Sequence, residues 1–165
     1  MSSSPKKGLT VDFEKLVRKN WTKEETANAK MMADFVQRMM NDHDFDAVLQ
    51  KYDNAKYVQH NHTLPDGVKG VVGFLQKFVK SYPDYCYDVK AIHCDGDVVI
   101  FHSHVTINEK HRGKEGYGLI IMDKWRIEDG LIAEHWDSIQ PLDFSMRLYT
   151  LFSGGTVRNS NGIFY

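Results

Sequence analysis

The chain has 165 residues, of which 42% are hydrophobic, and its 21 basic and 22 acidic side chains leave a formal charge of −1. That length suits one domain with a full core, so no disulfide framework or structural metal is required to hold it. The balanced charge gives no electrostatic reason to expect nucleic acid or a membrane surface as partner, and no apolar run approaches the roughly 18 residues of a membrane span.

In chain order, residues 1–20 read as a polar arm with a short helical turn near Val11 to Val17. The start, MSSSPKKG, lacks the apolar stretch of a signal peptide, which points to a cytoplasmic protein, and Lys6-Lys7 is too short to form a basic patch. Thr22 and Glu25 have the spacing of a capping box, so a helix is expected from there. Its stripe Ala29, Met32, Phe35, Val36, Met39 and Met40 predicts core packing, and Phe35 with the flexible Met39 would also suit the wall of an adaptable pocket. A second short helix carries Phe45, Val48, Leu49 and Tyr52.

The stretch Lys56 to His62 predicts a strand with polar side chains on both faces, Tyr57, Gln59 and Asn61 alternating with Val58, His60 and His62. Such a strand either lines a functional site or lies at a polar edge. Asp66 can cap the next helix, whose apolar positions run from Val68 to Tyr82 before Pro83 ends it.

Asp95-Gly96 marks a hairpin in which a two-residue turn would place Tyr87 opposite His104, with His102 and His104 facing inward because the other face holds Asp88, Lys90 and Asp97. Cys86 and Cys94 lie in its first strand, too far apart to bridge at about 3.3 Å per residue, and read as free thiols of a reducing compartment. After a charged connection, Asn108 to Gly116, comes a second hairpin around Asp129-Gly130, the residue types that a type I′ turn needs. A two-residue loop pairs Trp125 with Glu134 and Asp123 with Trp136, making Ile121, Asp123, Trp125 and Ile127 the buried face and leaving His135 and Asp137 in solvent. A three-residue loop that included Glu128 would instead bring Asp123 opposite His135. That alternative breaks the face assignment; in the two-residue register a carboxyl group on an apolar face should have a raised pKa, which makes Asp123 a candidate general acid or base. The tail, 142–165, contributes Phe144, Leu148, Tyr149, Leu151 and Phe152, then Gly154-Gly155 and a final Gly-Ile-Phe-Tyr, which could cover a pocket or cross to a second subunit.

Three amphipathic helices and one curved antiparallel sheet make an α+β layer enclosing a cone-shaped hollow. YVQHNHTLPDGVKGVVGFL and MDKWRIEDGLIAEHWDSIQP resemble the SnoaL-like polyketide cyclase and aldol-condensation branch of the nuclear-transport-factor-two-like superfamily, over about Thr22 to Pro141. The resemblance implies a cone domain over 21–141 and a homodimer packed through the outer sheet face, for which the face with Ile92, Val99, Phe101 and Val105 would serve. It also implies cofactor-free acid/base chemistry on a small carbonyl compound, by aldol cyclisation, isomerisation or dehydration. On the matching positions Asp123 is the acid/base, and His104 or His102 is the assisting histidine. His60 and Asn61 match the strand-end polar positions. Roles then follow as Asp123 base, His104 or His60 donor to the oxyanion, and Tyr57, Asn61, His62, Tyr87, His102, Trp125 and Trp136 ligand-binding. Two other readings stand beside this one: a binding module without chemistry, and a metal held by the pairs His60/His62 and His102/His104 with Asp123 or His135. Residues two apart on a strand are about 7 Å apart, so such a metal would have to sit between them.

Overall fold

A computed structural model describes residues 9–153 and 155–164. Lys6-Lys7, the start MSSSPKKG and Gly154 lie outside the described residues. The helices are α1 (Phe13–Leu16), α2 (Lys23–Val36), α3 (Phe45–Tyr52), α4 (Gly67–Ser81) and α5 (Phe144–Ser153). The strands are β1 (Val58–Gln59), β2 (Cys86–Asp95), β3 (Val98–Thr106), β4 (Leu119–Glu128) and β5 (Leu131–Pro141). They form one sheet in the order β1-β5-β4-β3-β2, antiparallel except that β1 runs parallel to β5, so the sheet is mixed rather than wholly antiparallel.

Helix α2 starts at the expected capping box, Thr22 taking the Glu25 N–H while Glu25 takes the Thr22 N–H. It runs on through a π-helical turn, Gln37–Asp42, and ends at His43 in the left-handed region. That end is fastened to the sheet: Asn41 exchanges two hydrogen bonds with the Tyr87 backbone, at 2.8 and 3.1 Å, and His43 bonds the Tyr85 carbonyl. Each bond satisfies a backbone group that an isolated strand edge would leave to water. Asp66 does stand at the N-cap of α4, but its carboxylate takes the Gln59 N–H at 2.8 Å instead of capping the helix, and so anchors β1.

The expected two-residue turn is present, with Asp129 and Gly130 both at positive φ and Ile127 opposite Ile132. Ala133 is then an extra residue. This bulge pairs Trp125 with His135 and Asp123 with Asp137, so beyond Ala133 the faces of β5 are the reverse of those read from the turn. Trp136 accordingly lies on the outer face, under the Lys124 ammonium and stacked on His60.

A second correction concerns β2 and β3. Their turn is Gly96-Asp97, and Lys90 bulges, so Tyr87 pairs with Val105 and His104 with Asp88. The side chains inside are Ile92, Val99, Phe101 and Val105, each at most 1% exposed, so this face is the core and cannot be an outer dimer surface. His102 and His104 point outward, away from the helices. The charges of Asp97 and Lys90 misled the face assignment because one sits in the turn and the other in the bulge, where neither reports a strand face. Helices α2, α3 and α4 cover the concave side through Met32, Phe35, Val36, Val48, Val71, Val72 and Leu75.

Candidate active site

Between α2, α4 and the inner sheet face lies a cavity of about 560 Å³, its wall mostly apolar with Phe35, Met39, Phe74, Leu75, Phe78 and Trp125. Tyr57, Asn61, Asp123, His135 and Asp137 supply its polar groups. Trp125, edge-on to both Phe35 and Phe101, also lies flat against the His135 ring at 5.1 Å, which fixes the imidazole plane.

The hydrogen-bond chain runs from β1 into the sheet. The Gln59 Oε1 atom accepts the Asn61 N–H at 2.9 Å, so this end of the amide is the oxygen, and His135 Nδ1, 3.0 Å from the same atom, must donate. His135 Nε2 therefore faces Asp123 Oδ1 at 3.1 Å with one proton held between them, on the acid or on the imidazole. The other Asp123 oxygen, Oδ2, is buried without a hydrogen-bond partner among the described residues. Burial pushes the Asp123 carboxyl from 3.8 up to about 6; the His135 hydrogen bond and charge pull it down, and the nearby Asp137 raises it. Asp137 is held by Asn61, whose Nδ2 donates to both its oxygens at 2.7 and 2.8 Å. Burial likewise raises the Tyr57, Tyr85 and Tyr87 phenols, which stay protonated at any ordinary pH. Tyr57 accepts from Gln59 Nε2 at 3.2 Å.

Of the residues singled out from the sequence, Asp123, Tyr57, Asn61, His60, His62, Tyr87, Trp125, Phe35 and Met39 all line this cavity. His102, His104 and Trp136 do not. His104 instead bonds the Tyr117 carbonyl at 2.7 Å. His60 reaches the cavity, but Nδ1 is bonded to the Gly162 carbonyl and Nε2 to Glu134 at 2.9 Å, so neither nitrogen is free for a ligand. Sequence reasoning missed the inward pairing of His135 with Asp123, Gln59 as the residue that orients His135, the nearby Asp137, and the contributions of Arg158 and Ile163 from the tail. A bulge leaves no mark in hydrophobic periodicity; the alternative loop came nearest, since it brought His135 to Asp123.

Asp123, His135 and Asp137 each offer a ligand atom, all within 4.8 Å of one another, and are the residues that could hold a metal. The HxH pairs do not join them, because His102 and His104 are outside and His60 and His62 are bonded to tail carbonyls.

Fold and site together define an α+β cone protein with an acid–imidazole pair inside an apolar hollow. Residues 32–135 match the SnoaL-like domain, and the chain belongs to that family, within the nuclear-transport-factor-two-like superfamily. Similar solved structures include a provisionally assigned SnoaL-like polyketide cyclase from Jannaschia sp. CCS1, at 13% identity and TM-score 0.61, covering 84% of this chain and 100% of that one. A provisionally assigned polyketide cyclase from Acidithiobacillus ferrooxidans has 16% identity and TM-score 0.56 over 76% of this chain and 94% of its own. A provisionally assigned ketosteroid isomerase from Kribbella flavida DSM 17836 has 13% identity and TM-score 0.55, over 71% and 80%. No curated protein matches the chain.

Proposed function

We propose that the protein is a cofactor-free enzyme that removes a proton alpha to the carbonyl of a small, largely apolar substrate. The observation that carries this reading is Asp123 Oδ2, a buried carboxyl oxygen without a partner on the wall of a ligand-sized cavity. A buried polar atom is normally satisfied, so an orphan on the wall of a cavity suits a group that finds its partner in a ligand. Asp123 is the base. His135, fixed by Gln59 and Trp125, is a positioning residue that holds Oδ1 so that Oδ2 faces the substrate.

The sequence suggested His104 or His60 as donor to the developing enolate, and neither has a free nitrogen in the cavity. Tyr57 replaces them in this reading: its protonated phenol lines the same hollow and its oxygen is already oriented by Gln59. The proton held by Asp123 then returns to a different atom of the substrate. Aldol cyclisation, isomerisation and dehydration share this first step, and the substrate's own functional groups decide among them.

The test is exchange of alpha protons for deuterium, followed by NMR, over a panel of small ketones and aldehydes. Asp123→Asn should lose about 10²–10⁴ in rate, the usual worth of a positioned proton-transfer group. Exchange by that variant at the wild-type rate, or by no compound with the wild type, would leave a binding module of the same fold.

A further inference from the structure

Residues after α5 return across the end of β1. Arg158 N–H donates to the His62 carbonyl at 2.7 Å, and the Asn159 amide donates to the carbonyls of Asn61 and Leu64 at 2.9 and 2.8 Å. The Asn161 amide donates to the Gln59 carbonyl at 2.9 Å, and His62 in turn donates to the Asn161 carbonyl at 2.6 Å. The strap thus reaches the same short strand that orients His135, and it brings Thr156, Arg158 and Ile163 to the cavity. Arg158 is exposed at the open side, with its guanidinium 5.4 Å from the centre of the Phe74 ring.

Among the side chains that line the cavity, Arg158 is the one lysine or arginine, set against the carboxyls of Asp123 and Asp137. Among the described residues it has no carboxylate within ion-pair distance. A guanidinium keeps its charge at any working pH, and one lying on an aromatic face keeps its edge N–H groups free for a planar anion. Asp123 is buried and Arg158 exposed, so a negatively charged ligand has one favourable orientation: charged end at Arg158, apolar body inside towards Asp123.

We propose that Arg158 is a recognition site for a carboxylate on the ligand, so that the substrate class is an apolar carbonyl compound carrying an acid group at the end remote from the reacting carbon. This rests on the reading of Asp123 as the base for the word substrate, but not for the binding site itself. A short planar carboxylate can take two parallel N–H bonds from Arg158 and so set the depth at which the rest of the molecule meets Asp123.

The experiment is calorimetric titration of the full-length chain with a series of aryl-alkanoates, from phenylacetate to naphthylbutyrate, each beside its primary amide. Wild type should bind the best carboxylates at least about tenfold tighter than their amides. Arg158→Gln should abolish that preference while leaving amide binding within about twofold, and Arg158→Lys should restore part of it as a point charge without the fork. The site is refuted if no carboxylate in the series binds, if acid and amide bind wild type alike, or if Arg158→Gln weakens both equally. Because the readout is binding, a chain that binds acids through Arg158 yet exchanges no alpha protons would sink the catalytic reading alone.

Discussion

Asp123 is 2% exposed, and its cost to the fold has a definite sign. A carboxyl whose pKa is raised from 3.8 to about 6 binds its proton more tightly in the native state than in the unfolded chain. Its contribution is therefore most favourable below pH about 4, declines as pH rises to about 6, and is level above. Asp123→Asn keeps a neutral group of the same shape that can still donate to His135 Nε2. Urea unfolding should show the variant more stable than wild type by about 1–3 kcal/mol at pH 8, with the gap closing by pH 4. If the gap were the same at both values, the carboxyl would not be buried in its charged form. The same titration gives the rate an acid limb: turnover should rise with pH through about 6, as Asp123 loses its proton. Tyr57→Phe should slow exchange by at least about tenfold with little change in ligand affinity, whereas His104→Ala, on the outer face, should leave exchange within about twofold. Loss of activity in the second variant would place catalysis elsewhere.

At the level of elements, two bulges decide what faces the hollow. One extra residue at Ala133 turns His135 and Asp137 inward beside Asp123; without it the face of β5 would present Glu134 and Trp136. Deletion of Ala133 should give a chain that still shows a sheet by circular dichroism but neither exchanges alpha protons nor binds the best ligand of the wild type. Full activity after deletion would show that the register of β5 is not what assembles the site. The other bulge, at Lys90, is why Tyr85 and Tyr87 share the inner face with Ile92. Gly118, at the start of β4, has φ +85 and sits where a Cβ would collide with the Val105 carbonyl. Gly118→Ala should accordingly cost more than about 1–3 kcal/mol in denaturant unfolding.

For the molecule as a whole, the cavity is a joint product of core and tail. Among the described residues no helix is long and apolar enough to cross a membrane. Residues near the end of the chain complete the cavity wall by bonding to the segment just after β1, about a hundred positions earlier, at His60, Asn61 and His62. Metal analysis of the purified protein should find no stoichiometric ion and no effect of chelators on exchange, because His135 is already engaged with Asp123 and Asp137 with Asn61. One zinc per chain with activity lost on chelation would overturn the cofactor-free scheme. Helices α1 to α4, both hairpins, the capping box, the type I′ turn and the burial of Asp123 could be read in advance, since each depends on neighbours within a few residues or on a period of 2 or 3.6, whereas helix α5 in the tail was not. The inward position of His135, the outward position of His104 and the arrival of Arg158 could not, because a bulge or a returning tail costs no change in local pattern and is selected by packing across the whole domain. A buried acid was thus written in the order of residues along β4, while its imidazole partner, the cavity beside it and the arginine at its rim came into being only when distant strands and the tail met around it.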